Sequence, residues 1–314
     1  LSILSTHILE TKIQKYLSNK SNVSQIFIFS LMAAIPSLAL LIIFLSNGAK
    51  SEYRSASMSD KSIFLDMNLE IKNHLYDEYL LKCDFYDNEK NIKKESISND
   101  CYNVSNKKHS NILIWGDSHA QALSFGIRES VSPDTAVFQI ATSDCRPAIG
   151  ASKRKSRVDN NCDKSNGLAL QSIARIKPDY VIIEQEKDHE LTNWNEISQK
   201  IKSLGAKKVI IAGPLPQYSP SLPFVYVKHA WGDKFIDKKF VNSDVINTDN
   251  AMEKKEDSEY EYISLINSLC NDYKCAVSSG NGDIFAFDYG HLTPSGSAVV
   301  GQIILDKIYK KNRK

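Results

Sequence analysis

From residue 111 onward, short unbroken apolar runs alternate with stretches of helical period, and this alternation limits the fold more than any other feature of the chain. NILIW (111–115), AVFQI (136–140), YVIIE (180–184) and KVIIA (208–212) lack the polar alternation of strands with one wet face. Strands this continuous are buried on both sides. Helical segments are expected between them, over 119–130, 165–177 and 194–204. Strands joined by helices form right-handed crossovers, so an α/β fold around a central parallel sheet is predicted. A further helix is expected over 257–270 and a last strand within 275–287. The final helix is the best marked, with Thr293 as N-cap, Pro294 in the first turn and apolar residues through Tyr309. In open sheets of this kind, ligands bind beyond the carboxyl ends of the strands.

The 314 residues, 42% hydrophobic and 24% charged, suffice for one substantial core and additional segments. A formal net charge of +2 argues against nucleic acid as a partner, which demands a broad basic surface. The chain opens on Leu1 rather than Met, and a further segment upstream is expected.

Residues 26–45, IFIFSLMAAIPSLALLIIFL, carry no charge. A run of this length spans roughly 30 Å as a helix, the thickness of a bilayer's hydrocarbon core. One transmembrane helix is therefore predicted over 25–46, where Pro36 is tolerated. A signal peptide is the rival, but its apolar region is shorter and nearer the N-terminus. Lys12, Lys15 and Lys20, opposed by Glu10, put the N-terminal side in the cytoplasm. Ile3, Leu4, Ile8, Leu9, Ile13 and Leu17 recur at helical spacing, so 1–24 reads as the end of a preceding element.

All six cysteines follow the apolar run. They fall into near neighbours: Cys83 and Cys101, Cys145 and Cys162, Cys270 and Cys275. Local pairing is the simplest expectation, although six cysteines leave other connectivities open. No C-x-x-C pair or His-rich cluster points to zinc, and no metal is expected. An even, dispersed set in a tethered domain fits disulfides in an oxidising compartment, such as a bacterial periplasm. Residues 47–110 read as a polar connector with a helix over 60–81, long enough to pack in part on the main domain 111–314.

LIWGDSHAQAL (113–123) carries the candidate chemistry. Ser118 follows the first core strand and opens the next helix, so its hydroxyl and its own N–H project from one tight turn. One position then supplies a nucleophile and an oxyanion donor. The competing reading is an ordinary helix cap, and the motif is not the G-x-S-x-G elbow. The far end of the chain favours the nucleophile. FAFDYGHLTPSG (285–296) puts Asp288 and His291 three residues apart in the last strand-to-helix loop. There the carboxylate can hold one imidazole nitrogen while the other faces a serine across the top of the sheet.

GDSH (116–119) near the start of the fold and DYGH (288–291) at its end resemble the SGNH, or GDSL-type, hydrolase superfamily. The resemblance implies a flavodoxin-like three-layer fold with Ser118 as nucleophile, His291 as base and Asp288 as its orienter. GDSHA, GPLPQYSPSLP (213–223), the cysteine in SDCRP (143–147) and the preceding apolar run are similar to SGNH domains fused to acyltransferase-3 membrane proteins. LSILSTHILETKIQKYL (1–17) likewise resembles the end of an acyltransferase-3 domain. What this implies is O-acetylation of cell-surface polysaccharide, including lipopolysaccharide O-antigen, at the periplasmic face of the inner membrane. No tightly bound cofactor is implied; the membrane domain of the same chain would supply acetyl groups, ultimately from acetyl-CoA.

The chain departs from the superfamily at one block. Where Gly-x-Asn-Asp usually offers an asparagine amide to the oxyanion, Glu184-Gln185-Glu186-Lys187 stands here. Gln185 is one candidate replacement, and backbone N–H groups in 142–146 are another. Lys153, Arg154, Lys155 and Arg157 form a basic run that reads as a solvated face or an anionic-glycan contact. Tyr218, Phe224, Tyr226 and Trp231 read as sugar-stacking or core residues. Asp117 is expected to steady the turn, and His119 carries no assigned chemistry. A stand-alone periplasmic esterase and a non-catalytic glycan-binding module are the alternatives to a transferase.

Overall fold

The computed structural model describes residues 56–87, 90–103, 109–150, 159–255, 258–280 and 283–311, with scattered positions between 21 and 41. The chain divides into two compact units, Leu1–Ile63 and Phe64–Lys314. In the first, the described positions from Val23 to Leu41 are helical, and Leu38, Leu40 and Leu41 are at least half exposed. Among the described residues no helix is long and apolar enough to cross a membrane. Most of the predicted span 25–46, nearly all of 1–24 and the basic run 153–157 lie outside them.

The second unit is built on five parallel strands: β1 (Ser110–Gly116), β2 (Thr135–Ala141), β3 (Tyr180–Glu184), β4 (Lys208–Ala212) and β5 (Glu261–Ile263). Their order across the sheet is β2-β1-β3-β4-β5. The chain therefore reverses its direction of travel at β1, and β1 and β3 lie side by side, Gly116 opposite Glu184. Helices cover both faces, as the continuous apolar runs require. Ile112, Ile114, Ile182 and Ile210 point to one face, packing with Leu123 and Ile127 of α2 (Ser118–Ser130) and Ile304 and Ile308 of α8 (Pro294–Lys311). Leu113, Trp115, Val181 and Ile183 point to the other, against Ile173 of α3 (Asp159–Ile176) and Ile197 and Ile201 of α4 (Trp194–Ser203). Burial of each such side chain stabilises the fold by about 2 kcal/mol.

The predicted strands and helices from 111 to 212 are all present. The remaining expectations need correction. Residues 257–270 do not form one helix: β5 occupies 261–263, and only Ile266–Leu269 (α7) is helical. Tyr262 and Ser264 bond Asp249 at 2.6 and 2.7 Å, which anchors this edge strand through polar groups rather than through an apolar run. Asp249 lies on α6 (Ser243–Glu253), a polar helix that burial periodicity does not announce. Among the described residues of 275–287 no strand joins the sheet; Lys274–Ala276 pairs antiparallel with Phe235–Asp237 outside it. The helix expected over 60–81 is α1 (Ala56–Ile71), after which the chain turns through a 3-10 segment Lys72–His74. That break lets Tyr79 turn inward, where its hydroxyl donates to the Leu292 carbonyl at 2.6 Å. The last helix begins as predicted, with Thr293 Oγ1 accepting the Gly296 N–H at 3.1 Å.

All three near-neighbour disulfides are formed: Cys83–Cys101, Cys145–Cys162 and Cys270–Cys275. The connector packs on the main domain through Cys83, Phe85, Ile97 and Cys101, a small buried cluster of its own. Beside it Asp84 is fully buried. Its carboxylate accepts from Gln121 Nε2 at 2.9 Å, Ser143 Oγ at 2.7 Å and the Tyr86 N–H at 2.8 Å.

Candidate active site

Ser118 stands where β1 ends, whereas Asp288 and His291 stand in the loop that leads into α8, after a segment that does not join the sheet. At the end of β1, a Cβ on Gly116 would lie 1.9 Å from the Glu184 carbonyl oxygen, so only glycine lets β1 close on β3 and turn into α2. Asp117 caps α2, its Oδ1 accepting the His119 N–H at 2.9 Å. Its other oxygen accepts the Glu186 N–H at 2.8 Å and so fixes the loop after β3 to the turn. Burial pushes the Asp117 carboxyl up to about 6, against the two backbone N–H groups that hold it down. Asp117 thus steadies the turn as expected. Ser118 follows as the first residue of α2, and its N–H has no intrahelical acceptor.

Asp288, His291 and Ser118 come together. Ser118 Oγ is 2.8 Å from His291 Nε2, and His291 Nδ1 is 2.8 Å from Asp288 Oδ2. The second oxygen of Asp288 accepts the Gly290 and His291 N–H groups at 2.9 and 2.8 Å, which leaves its partner free for the imidazole. A carboxylate accepts from Nδ1–H, so Nε2 carries the lone pair toward the serine hydroxyl. Burial lowers the affinity of His291 for a proton, but the Asp288 hydrogen bond and charge, aided by Asp117 and Glu186, raise it net above the ordinary imidazole value. For Asp288 burial acts upward, and the His291 bond and charge hold it net below the usual carboxylate range.

The proline-rich loop 213–223 has a positioning task that its composition does not reveal. The Tyr218 N–H donates to the Tyr289 carbonyl at 2.8 Å, and the Leu222 N–H to the Asp288 carbonyl at 2.9 Å. Gln217 Nε2 donates to the Glu186 carbonyl at 2.8 Å, joining this loop to the one after β3. Tyr218 and Tyr226 are core residues, whereas Phe224 and Trp231 are partly exposed.

The two oxyanion candidates fare differently from the triad. The Gln185 amide donates to the Lys187 carbonyl at 2.7 Å and to Thr192 Oγ1 at 3.2 Å, which uses both of its hydrogens. In 142–146, the Thr142 N–H donates to the Gly116 carbonyl at 3.0 Å, the Ser143 N–H to Asp84 at 3.3 Å and the Cys145 N–H to the Thr142 carbonyl at 3.0 Å. The Ser118 N–H, in the first turn of α2, is the backbone donor that adjoins the Ser118–His291 contact. Two groups to which the sequence assigned no chemistry also border the site. Asp84 clamps the loop after β2, and a buried His119–Glu184 pair lies behind His291.

The family model described as "SGNH domain (fused to AT3 domains)" matches residues 82–306. The structure of a lipopolysaccharide acetyltransferase periplasmic domain from Salmonella ser. Paratyphi A is similar, with a TM-score of 0.58 and 24% sequence identity. The match covers 84% of this chain and 100% of that one, a likeness of fold. No curated protein matches the chain.

Proposed function

The chain belongs to the family of SGNH domains fused to AT3 domains, and from that premise we propose that it delivers acetyl groups in an O-acetyltransferase. Ser118 is the nucleophile, His291 the general base and Asp288 the group that orients it. The acceptor is a sugar hydroxyl of cell-surface polysaccharide; the likeness to the Salmonella lipopolysaccharide acetyltransferase domain supports lipopolysaccharide. The reading includes an AT3 membrane domain in the same chain as source of the acetyl donor, a membrane helix over 25–46 and a periplasmic location. The three disulfides support that compartment.

The observation that carries the reading is the unbroken chain of 2.8 Å hydrogen bonds from Ser118 through His291 to Asp288. A binding module has no need of a serine hydroxyl aimed at the lone pair of an imidazole whose tautomer is fixed. In the first half-reaction, Oγ attacks the acetyl carbonyl while its proton passes to Nε2. The Ser118 N–H at the helix N-terminus faces the resulting oxyanion. Collapse expels the donor's leaving group, which takes the proton back from His291 and leaves acetyl-serine. In the second half, a sugar hydroxyl gives its proton to Nε2 and attacks the ester. Collapse returns that proton to Oγ and releases the acetylated sugar.

The test is Ser118→Ala in the full-length protein, read as the acetyl content of surface polysaccharide. Loss is expected, and normal acetylation would overturn the reading. Release of free acetate without any sugar ester would overturn transfer in favour of hydrolysis.

A further inference from the structure

Behind Ser118 and His291, two ionisable side chains are wholly enclosed. His119 and Glu184 are both 0% exposed. Nδ1 of His119 lies 3.7 Å from Glu184 Oε1, and among the described residues neither atom has a hydrogen-bond partner, nor has Glu184 Oε2. On its other side, His119 Nε2 is 3.3 Å from the Tyr289 hydroxyl. The His119 ring also packs against His291, centroids 4.6 Å apart, and Tyr289 meets His291 edge-on at 5.3 Å. Nothing in the acyl-transfer steps uses these groups, yet they contact the catalytic histidine and its neighbour.

We propose that Glu184 and His119, 3.7 Å apart in the structure, draw together to share one proton as a buried pair that positions Tyr289 beside His291. This rests on the reading of Ser118 as the acyl-carrying nucleophile. Two charges in this enclosure are disfavoured by desolvation, so the carboxyl keeps its proton and the imidazole stays neutral. Burial acts the same way on both groups, raising Glu184 well above and lowering His119 well below their ordinary values. The Glu184 O–H then donates to Nδ1, which places the imidazole proton on Nε2. Nε2–H donates to the Tyr289 oxygen and turns the phenol's own hydrogen outward. That hydrogen is directed to the Glu186 side chain, and in the proposal a hydroxyl of the bound acceptor takes the place of Glu186 as the phenol's partner. A half-buried tyrosine fixed from behind is a directed donor; released, it becomes one rotor among several. Glu184 and His119 are positioning residues and touch no reacting atom.

The test uses the full-length protein, with hydrolysis of a small acetyl ester and transfer to a sugar acceptor measured separately. Ser118→Ala must abolish both; if it does not, the nucleophile reading fails independently of the pair. Glu184→Gln retains a donor to Nδ1 and is expected to keep transfer within roughly threefold of wild type. Glu184→Leu lacks one and is expected to lose roughly tenfold or more in transfer, as is Tyr289→Phe, with ester hydrolysis less affected. The Glu184→Leu/Tyr289→Phe double variant should be no worse than either single variant. Nitrogen NMR of histidine-labelled protein at neutral pH should show His119 as the Nε2–H tautomer. An imidazolium or an Nδ1–H tautomer overturns the proposal, as do additive losses in the double variant or equal losses in Glu184→Gln and Glu184→Leu. Because the tautomer is read in unsubstituted protein, misfolding of a variant does not shield the proposal.

Discussion

Gly126 of α2 and Gly301 of α8 place the two helices in backbone contact: a Cβ on Gly301 would come within 2.4 Å of the Gly126 carbonyl carbon. A Cβ on Gly126 would meet the Ser297 carbonyl oxygen at 1.7 Å, and Ser297 Oγ accepts the Gly126 N–H at 2.8 Å. One helix begins at Ser118 and the other follows the loop of His291. The spacing of Ser118 and His291 therefore depends on two missing methyl groups.

Gly126→Ala and Gly301→Ala are expected to destabilise the protein by about 1–3 kcal/mol, because backbone rather than a pliable side chain stands in the way. Gly167→Ala is the control. It lies in α3 with nothing within 4 Å of an added Cβ, and helix propensity predicts a gain of about 0.5–1 kcal/mol. Thermal denaturation should move in opposite directions for the two kinds of change.

The base form of His291 governs the acid side of the rate profile. Its proton affinity is raised net above the ordinary value of 6.5, so kcat/KM for ester hydrolysis falls as pH drops through an apparent pKa above 6.5. Asp288→Asn would turn an amide N–H toward Nδ1 and move the imidazole proton to Nε2. The serine then faces a donor, and a fall of about 10⁴ in kcat is expected. A pH profile of the variant and wild type checks both statements.

Asp117 gives a stability effect with a definite sign. Its folded value of about 6 lies above its ordinary 3.8, so the native state binds its proton more tightly than the unfolded chain does. The stabilisation from that proton is complete below about pH 3.8 and is lost as pH rises through 6. Over that interval wild type should lose roughly 2–3 kcal/mol relative to Asp117→Asn. Parallel denaturant titrations that show a constant difference between the two proteins would contradict this.

The disulfides should rank by the loops they close. Cys83–Cys101 spans 18 residues and Cys270–Cys275 only 5. Replacing both members by alanine is expected to cost about 3 kcal/mol for the first pair and about 2 for the second. Denaturant midpoints of the two double variants under oxidising conditions test the order.

The sequence announces β1 to β4 because side chains buried on both faces make the strand centres apolar almost throughout, Gln139 of β2 being the exception. β5 has no such run; its Tyr262 is held by a buried acid on a helix that is itself polar, so neither partner can be read without the other. Ser118 is readable because a sheet of this connectivity brings its carboxyl ends to one edge; Asp288 and His291 are readable from their three-residue spacing ahead of the well-marked last helix, although the segment before them does not join the sheet. Gln185 was the right type of residue in the right block, but Lys187 and Thr192 take its amide hydrogens. Asp84 carried no signal, being one acid in a polar stretch whose partners Gln121 and Ser143 are distant in sequence.

That clamp alters what kind of segment the connector is. Tyr79 is fastened to Leu292, just past the base, and Asp84 to Ser143, in the loop beside the nucleophile's strand. Between two such anchors the chain's length is itself fixed. An insertion of one residue there would pull on both walls of the site, where a tether would absorb it. The stretch ahead of β1 is therefore constrained as a catalytic loop is, and a fragment that starts at residue 110 would lack part of its own active site.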